Sequence, residues 1–296
     1  MRLGTSMNVL FDPKRVSVEE ALERLCRAGF EVLDFDLCDW LFEGSPLVGE
    51  GWEKWVSQIA QTAKRLGITF SQAHGPIFNK FEDSEKARWM TQMCHRSFEA
   101  CAILEVRWMV LEPESFPGPF DEEHQRQLLQ RNLDWFGEML PTAEKTGVGI
   151  AIENTADIPP TARGFRRAFG SAPSELIQLV DALDSPLVGI CWDTGHAHIQ
   201  RLDQPSALSA IGKRLKATHI QDNNGEQDQH LLPFHGTIDW QGIIARLQDI
   251  GYEGDFVYEV HNSIRPLPDE LRDSALRYAV EIGRFLLDRS LRKGGR

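Results

Sequence analysis

The chain has 296 residues, of which 42% are hydrophobic and 26% charged, an ordinary globular composition with ample material for a large core. A formal charge of −12 argues against a surface built to hold the phosphate backbone of a nucleic acid, and no stretch approaches the roughly 18 uninterrupted apolar residues of a membrane span. The opening MRLGTSMNVLFDPK lacks the apolar segment of a secretory signal, and Cys26, Cys38, Cys94, Cys101 and Cys191 are odd in number with no CxxC pair; they read as reduced thiols in a cytoplasmic protein.

One unit recurs along the chain: a strand-like run, a polar cluster, an amphipathic helix, a glycine, and the next strand. RLGTSMNV begins the first strand, followed by the helical pattern SVEEALERLCRAGF, where Val18, Leu22 and Leu25 share a face and Ser17 can cap the first turn. VLDFDL is the second strand, and GWEKWVSQIAQTAKRLG closes on Gly67, a usual helix stop. TFSQAHGP, the third, ends in His74. The next helical stretch carries Cys94 and Cys101, expected as small buried thiols, and His95, expected at the surface. VRWMVLEP is the fourth strand and leads to Glu112; the helix after it carries His124, also expected at the surface. VGIAIENT is the fifth strand, VGICWDTGH the sixth, KATHIQDN the seventh and, after the pattern IDWQGIIARLQDIGYEG, DFVYEVH the eighth.

Strands alternating with helices without a break in composition imply parallel strands and crossover helices. Eight repeats close into a barrel, whereas a doubly wound sheet usually has five or six strands. No Ser/Gly-rich linker divides the chain, so residues 1–296 are expected to form a single (β/α)8 TIM barrel of the α/β class. Two connections are long: residues 157–172, with Arg163, Arg166 and Arg167, and residues 222–237, with His230 and His235. Both leave the C-terminal ends of strands, the face where such barrels place their chemistry.

The fifth to eighth strands end in Glu153, Asp193, His219 and Glu259. Alternation puts Glu153 on one side with Ala151 and Gly149, and Asp193 with Cys191 and Gly189; Ile150, Ile152, Ile190 and Trp192 take the other side. Small residues facing inward and large ones packed under helices would aim all four polar groups into the top of the barrel. Three converging carboxylates repel and are costly to bury without a cation. With one imidazole they form an oxygen-rich set suited to a divalent Mn, Zn, Mg or Co ion. The competing reading pairs each acid with an arginine or a helix N-terminus. His74 and His196 stand next to the set, whereas His198, His235 and His261 carry no signal beyond proximity.

IAIENT, CWDTGHAHI, THIQDN and FVYEVH together resemble the xylose isomerase-like TIM-barrel superfamily, and DQHLLPFHGTIDW resembles the D-x-H-(apolar)-P-x-x-G-x-I-D-W segment common in its sugar phosphate isomerase/epimerase members. The resemblance runs from the first strand to the eighth. It implies that Glu153, Asp193, His219 and Glu259 hold one divalent metal ion. It also implies that Glu153 and Glu259 are the catalytic acids, exchanging a proton next to a carbonyl through a metal-stabilised enediolate, and that His196 contacts substrate oxygens. His74, Glu112, His230 and Arg166 join His196 as expected substrate-binding residues; the basic loop of Arg163, Arg166 and Arg167 reads either as a holder of a substrate phosphate or carboxylate or as a solvated or subunit-contact loop. The ketose 3-epimerases of the superfamily have an arginine shortly after the seventh-strand histidine, and HIQDNNGEQ has none. The expected partner is a small carbohydrate, with neither nucleic acid nor membrane. Exposed aromatics (Trp40, Phe42, Phe116, Phe120) are available to cover the sugar or to meet a second subunit in a homo-oligomer.

Two other activities fit the same residues. Dehydratases of the superfamily acting on keto-inositols or dehydroshikimate begin at the same α-proton. Endonuclease IV is similar at His74, Glu153, Asp193, His196, His219, Asp228, His230 and Glu259, but its fourth strand ends in a histidine zinc ligand where this chain offers Glu112, and the charge of −12 suits a DNA duplex poorly.

Overall fold

A computed structural model describes residues 1–119, 121–161 and 164–293 of the chain. Strands β1 (Leu3–Ser6), β2 (Val32–Asp34), β3 (Thr69–His74), β4 (Trp108–Leu111) and β5 (Gly149–Glu153) are followed by β6 (Ile158–Thr161) and β7 (Gly164–Arg166), then β8 (Val188–Asp193), β9 (Leu215–His219) and β10 (Phe256–Tyr258). An eight-stranded sheet runs in the order β10-β1-β2-β3-β4-β5-β8-β9. Its ends meet through the parallel bridge Ile220↔Tyr258, where Ile220 N donates to Val257 O at 2.8 Å and Glu259 N to Ile220 O at 3.0 Å. The expected (β/α)8 TIM barrel is the fold.

The helices are α1 (Val18–Ala28), α2 (Trp52–Leu66), α3 (Glu85–Ile103), α4 (Glu122–Thr146), α5 (Pro173–Leu183), the short α6 (Thr194–Ile199), α7 (Gln204–Ile211), α8 (Trp240–Asp249), the single turn α9 (His261–Ile264) and α10 (Asp269–Lys293). Ser17 caps α1 by accepting from Glu20 N at 3.1 Å, and Gly29 ends it at φ +104°. No helix among the described residues is long and apolar enough to cross a membrane.

The long connection at residues 157–172 carries strands of its own: β6 and β7 pair antiparallel in a separate ribbon. A connection of this length can satisfy its backbone donors by pairing with itself. The two helical histidines expected at the surface are corrected. His124 is only 8% exposed because the Phe116 loop folds back over the first turn of α4, with ring centroids 4.7 Å apart. His95 is half-buried and lies 2.8 Å from Thr142 Oγ1 on α4. Cys94 and Cys101 are fully buried, and all five cysteines are free thiols.

The sheet separates two cores. Ile150, Ile152, Ile190 and Trp192 face outward into the large core shared with the helices, whereas Ala151, Cys191, Val110, Ala217 and Trp108 fill the barrel interior. Trp108 opens β4 and plugs the floor of the barrel. A side chain at Gly149, the first residue of β5, would place its Cβ 2.3 Å from the Trp108 ring. The small residues at the bottom therefore make room for one large plug and leave the polar ends of the same strands at the top. Gly149→Val is expected to destabilise the protein by about 1–3 kcal/mol through overpacking, read as a lower urea midpoint. An unchanged midpoint would contradict this packing of the floor.

Candidate active site

Glu153, Asp193 and His219 are the last residues of β5, β8 and β9, and Glu259 follows directly on β10. Their ligand-type atoms lie within 4.8 Å of one another. Exposures are 1% for Glu153, 0% for Asp193, 1% for His219 and 9% for Glu259. His219 Nδ1 is 2.7 Å from Glu153 Oε1 and 3.6 Å from Glu259 Oε2. Among the described residues no lysine or arginine lies within ion-pair distance of the three carboxylates; their charged neighbours are histidines. Arginine pairing therefore does not explain the cluster. Helix capping explains one oxygen of it, since Asp193 Oδ1 caps α6 by accepting from His196 N at 2.6 Å.

The site contains a residue that the sequence reasoning missed. Asp34, the last residue of β2 and fully buried, lies 3.0 Å from His219 Nε2 through Oδ2, accepts from Gln72 Nε2 at 2.7 Å through the same oxygen, and accepts from His74 N at 2.9 Å through Oδ1. With Nε2 donating to Asp34, Nδ1 is the lone-pair nitrogen facing the cluster. This is the usual arrangement of a metal-binding histidine, whose second nitrogen donates to a carboxylate that fixes its orientation. The available signal was the same one that marked the other acids, a carboxylate closing the run VLD. Asn154 holds the neighbouring strand end, donating from Nδ2 to Asp193 O at 2.9 Å and accepting from Asp193 N at 2.6 Å.

The remaining expected residues form a ring around the four. The His74 ring stacks on His219 at 5.5 Å, donates from Nδ1 to Gly75 O at 3.0 Å, and leaves Nε2 3.5 Å from Glu153 Oε2. Glu112 offers a ligand-type oxygen within 4.8 Å of those of His74 and Glu153. His196 Nδ1 donates to Asn154 O at 2.9 Å, and its Nε2 is 3.5 Å from Asp228 Oδ2. Asp228 also lies 2.9 Å from His230 Nε2, while His230 Nδ1 donates to Glu259 O at 3.1 Å. His261 belongs here too, contrary to expectation, because its ring lies 4.3 Å from that of His230. His198 and His235 stay outside, bound to Thr237 at 2.8 Å and to Tyr278 at 3.4 Å. Arg163, Phe120 and the side chain of Arg166 lie outside the described residues. Arg167 of the same loop is tied to Asp157 and Glu175.

Burial sets the electrostatics. It pushes the Asp193 carboxyl up to about 7; His196 opposes this, and the charges of Glu153, Glu259 and Asp228 reinforce it. Burial works against ionising Glu153 as well, yet His219 and His74 hold it well below the usual carboxylate range. Burial also opposes a charge on His219, His74 and His196, but the surrounding thiol and carboxylate groups raise all three well above an ordinary imidazole. The donor set, three oxygens and one nitrogen, fits a divalent cation. Glu153 Oε2 adds a direct test of that fit: it is a buried carboxylate oxygen without a hydrogen-bond partner among the described residues, which polar groups at this depth rarely tolerate.

These features define a (β/α)8 barrel with its titratable groups gathered at the strand C-termini. The sequence profile of the xylose isomerase-like TIM-barrel family matches residues 22–279, and the chain belongs to that family. It is 26% identical over 267 residues to an uncharacterized protein of Methanocaldococcus jannaschii, covering 88% of this chain and 84% of that one. It is 30% identical over 210 residues to D-psicose 3-epimerase of Enterocloster bolteae, covering 68% and 65%. Among solved structures, a D-tagatose 3-epimerase-like protein shares the fold over 100% of both chains, with a TM-score of 0.78 at 22% identity. The IOLI protein, solved with a bound zinc atom, does so over 98% of this chain and 99% of its own, at 0.74 and 17%.

The raised groups give the metal-free protein a definite pH response. The three histidines contribute stability that is full below about 6.5, their ordinary value, and is lost as pH rises through their higher folded values. Asp193 acts in the same direction, since its ionisation between about 4 and 7 occurs less readily in the folded state. Glu153, held low, loses its contribution only below about 4.5. Chelator-treated protein should therefore melt at a higher temperature at pH 6 than at pH 8. A divalent cation, which needs deprotonated ligands, should raise the melting temperature most at pH 8. A higher melting temperature at pH 8 without metal would contradict these assignments.

Proposed function

We propose that the protein is a divalent-cation-dependent isomerase or epimerase of a keto sugar, working by proton abstraction next to a carbonyl. The observation that carries the proposal is the division of labour within Glu153. Its Oε1 faces His219 at 2.7 Å inside the cluster, while its Oε2 is buried and free of hydrogen bonds among the described residues, with His74 Nε2 standing 3.5 Å away. Support comes from the 30% identity to D-psicose 3-epimerase over 68% of this chain.

A divalent cation held by Glu153, Asp193, His219 and Glu259 would supply positive charge beside the substrate's carbonyl and neighbouring hydroxyl oxygens. The chain's own side chains do the rest. Glu153, kept ionised by His219 and His74, takes the carbon-bound proton on Oε2. Glu259, whose Oε2 lies 3.6 Å from both His219 Nδ1 and His230 Nδ1, is the second acid, and returns a proton in an epimerisation. In an isomerisation Glu153 alone returns it to the adjacent carbon. His196, its Nδ1 occupied by Asn154 O, presents Nε2 to substrate oxygens, and Asp228 holds that ring in place.

Proton exchange into solvent tests this without knowledge of the natural sugar. Wild-type protein with Mn²⁺ should incorporate deuterium from D₂O into D-psicose or D-tagatose at a carbon next to the carbonyl. Glu153→Gln should lower the rate by about 10²–10⁴-fold, the usual contribution of a general base, with the fold retained by circular dichroism. Glu259→Gln should do the same where the product is an epimer. Near wild-type exchange in Glu153→Gln would remove it from the role of base. Chelation should abolish exchange, and added Mn²⁺ should restore it.

A further inference from the structure

The turns that follow β1 and β2 bring a second set of polar atoms to the mouth of the barrel. Asn8, in the turn Met7–Leu10, is 8% exposed, and its Nδ2 lies 3.3 Å from Nδ1 of His261, two residues beyond Glu259. Its Oδ1 is buried without a partner among the described residues, and so is Oδ2 of Asp39 in the turn Leu37–Trp40. The two turns are fastened together by Asp36, whose carboxylate accepts from Ser6 Oγ at 2.7 Å and from Asn8 N at 2.9 Å. Asp36 is thus satisfied and acts as scaffold. Asn8 and Asp39 are not.

Both residues line one cavity of about 20 Å³, with Phe11 and Trp40 on its apolar walls. Asn8 joins the cavity to the ring of residues around the proposed metal centre, since it reaches His261, whose ring lies 4.3 Å from that of His230. Buried acceptors are nearly always paired, so two orphaned ones on residues that line the same cavity call for a donor. A single water-sized group needs roughly 10–15 Å³, so the space suits one hydroxyl and is too small for a phosphate group. The charge agrees with the size. An anion there would face the carboxylates of Asp12, Asp36 and Asp39, with no lysine or arginine among the described residues that line the cavity, while Arg167 is committed to Asp157 and Glu175.

We propose that Asn8 and Asp39 form a subsite for a distal hydroxyl of an uncharged, polyhydroxylated substrate, and that they select free sugars over their phosphate esters. The sugar identity rests on the isomerase/epimerase proposal above; the subsite does not depend on turnover. The two are therefore measured apart. Binding of D-psicose, 6-deoxy-D-psicose and D-psicose 6-phosphate to the Mn²⁺-loaded protein is followed by calorimetry, and proton exchange is followed in the same samples.

The wild type is expected to bind D-psicose about tenfold more tightly than either analogue. Asn8→Ala and Asp39→Asn should each bind D-psicose about five- to tenfold more weakly, the size of one lost hydrogen bond, and bind the 6-deoxy analogue as the wild type does. Exchange should show KM rising with kcat unchanged, because neither residue touches the reacting carbon. Asp39→Asn, at a half-exposed turn, carries the test if Asn8→Ala does not fold. The proposal is overturned if both variants weaken the two neutral ligands equally, if neither changes anything (an ordered water only), if the phosphate ester binds as well as D-psicose, or if the wild type binds none of the three. The expected binding pattern without any proton exchange would uphold the subsite and refute the isomerase/epimerase activity.

Discussion

His219 sits between two carboxylates, with Glu153 at one ring nitrogen and Asp34 at the other. The first contact draws the imidazole into the acidic cluster; the second fixes which nitrogen faces it. Three carboxylates at 9% exposure or less around one histidine cannot all remain ionised at low cost without positive charge. In the metal-free protein that charge comes from the raised histidines, while burial favours the neutral form of the Asp193 carboxyl and so lessens the negative charge they face. A divalent cation would replace this arrangement with one in which every ligand is deprotonated. The rest of the mouth serves the same constraint: Asn154 clamps the Asp193 strand end, Gln72 and the His74 backbone hold Asp34, and Asp228 ties His196 to His230.

The barrel beneath makes this crowding possible. β5 carries Gly149 and Ala151 on the same side below Glu153, and β8 carries Cys191 below Asp193, so the interior closes around Trp108 without reaching the polar tier. The outward sides of those strands carry isoleucine and tryptophan into the helix layer. The strands are therefore anchored from outside, and their tips stay in place against mutual repulsion.

Much of this was legible in the sequence, for a physical reason. Strand alternation has a period of two, so one acid at a strand tip declares the orientation of every residue beneath it; Glu153 and Asp193 sorted their strands correctly. Asp34 escaped because VLDFDL has two acids, Asp34 and Asp36, and local sequence does not say that one would reach His219 while the other braced a turn. His124 and His261 were misjudged for a related cause. Helical or loop position gives no information on which distant segment folds over a side chain, the Phe116 loop in one case and the His230 loop in the other. The ribbon of β6 and β7 was likewise invisible, since IPPT carries no strand signature.

The central claim is that the acids at the strand ends are gathered for a cation. Calorimetric titration of chelator-treated protein with Mn²⁺ at pH 8 tests it most directly. The account predicts one bound ion per chain with release of protons, and at least tenfold weaker binding in Asp34→Asn, where the partner that orients His219 is weakened. Absence of stoichiometric binding by the wild type, or binding of equal strength in Asp193→Asn, would contradict it.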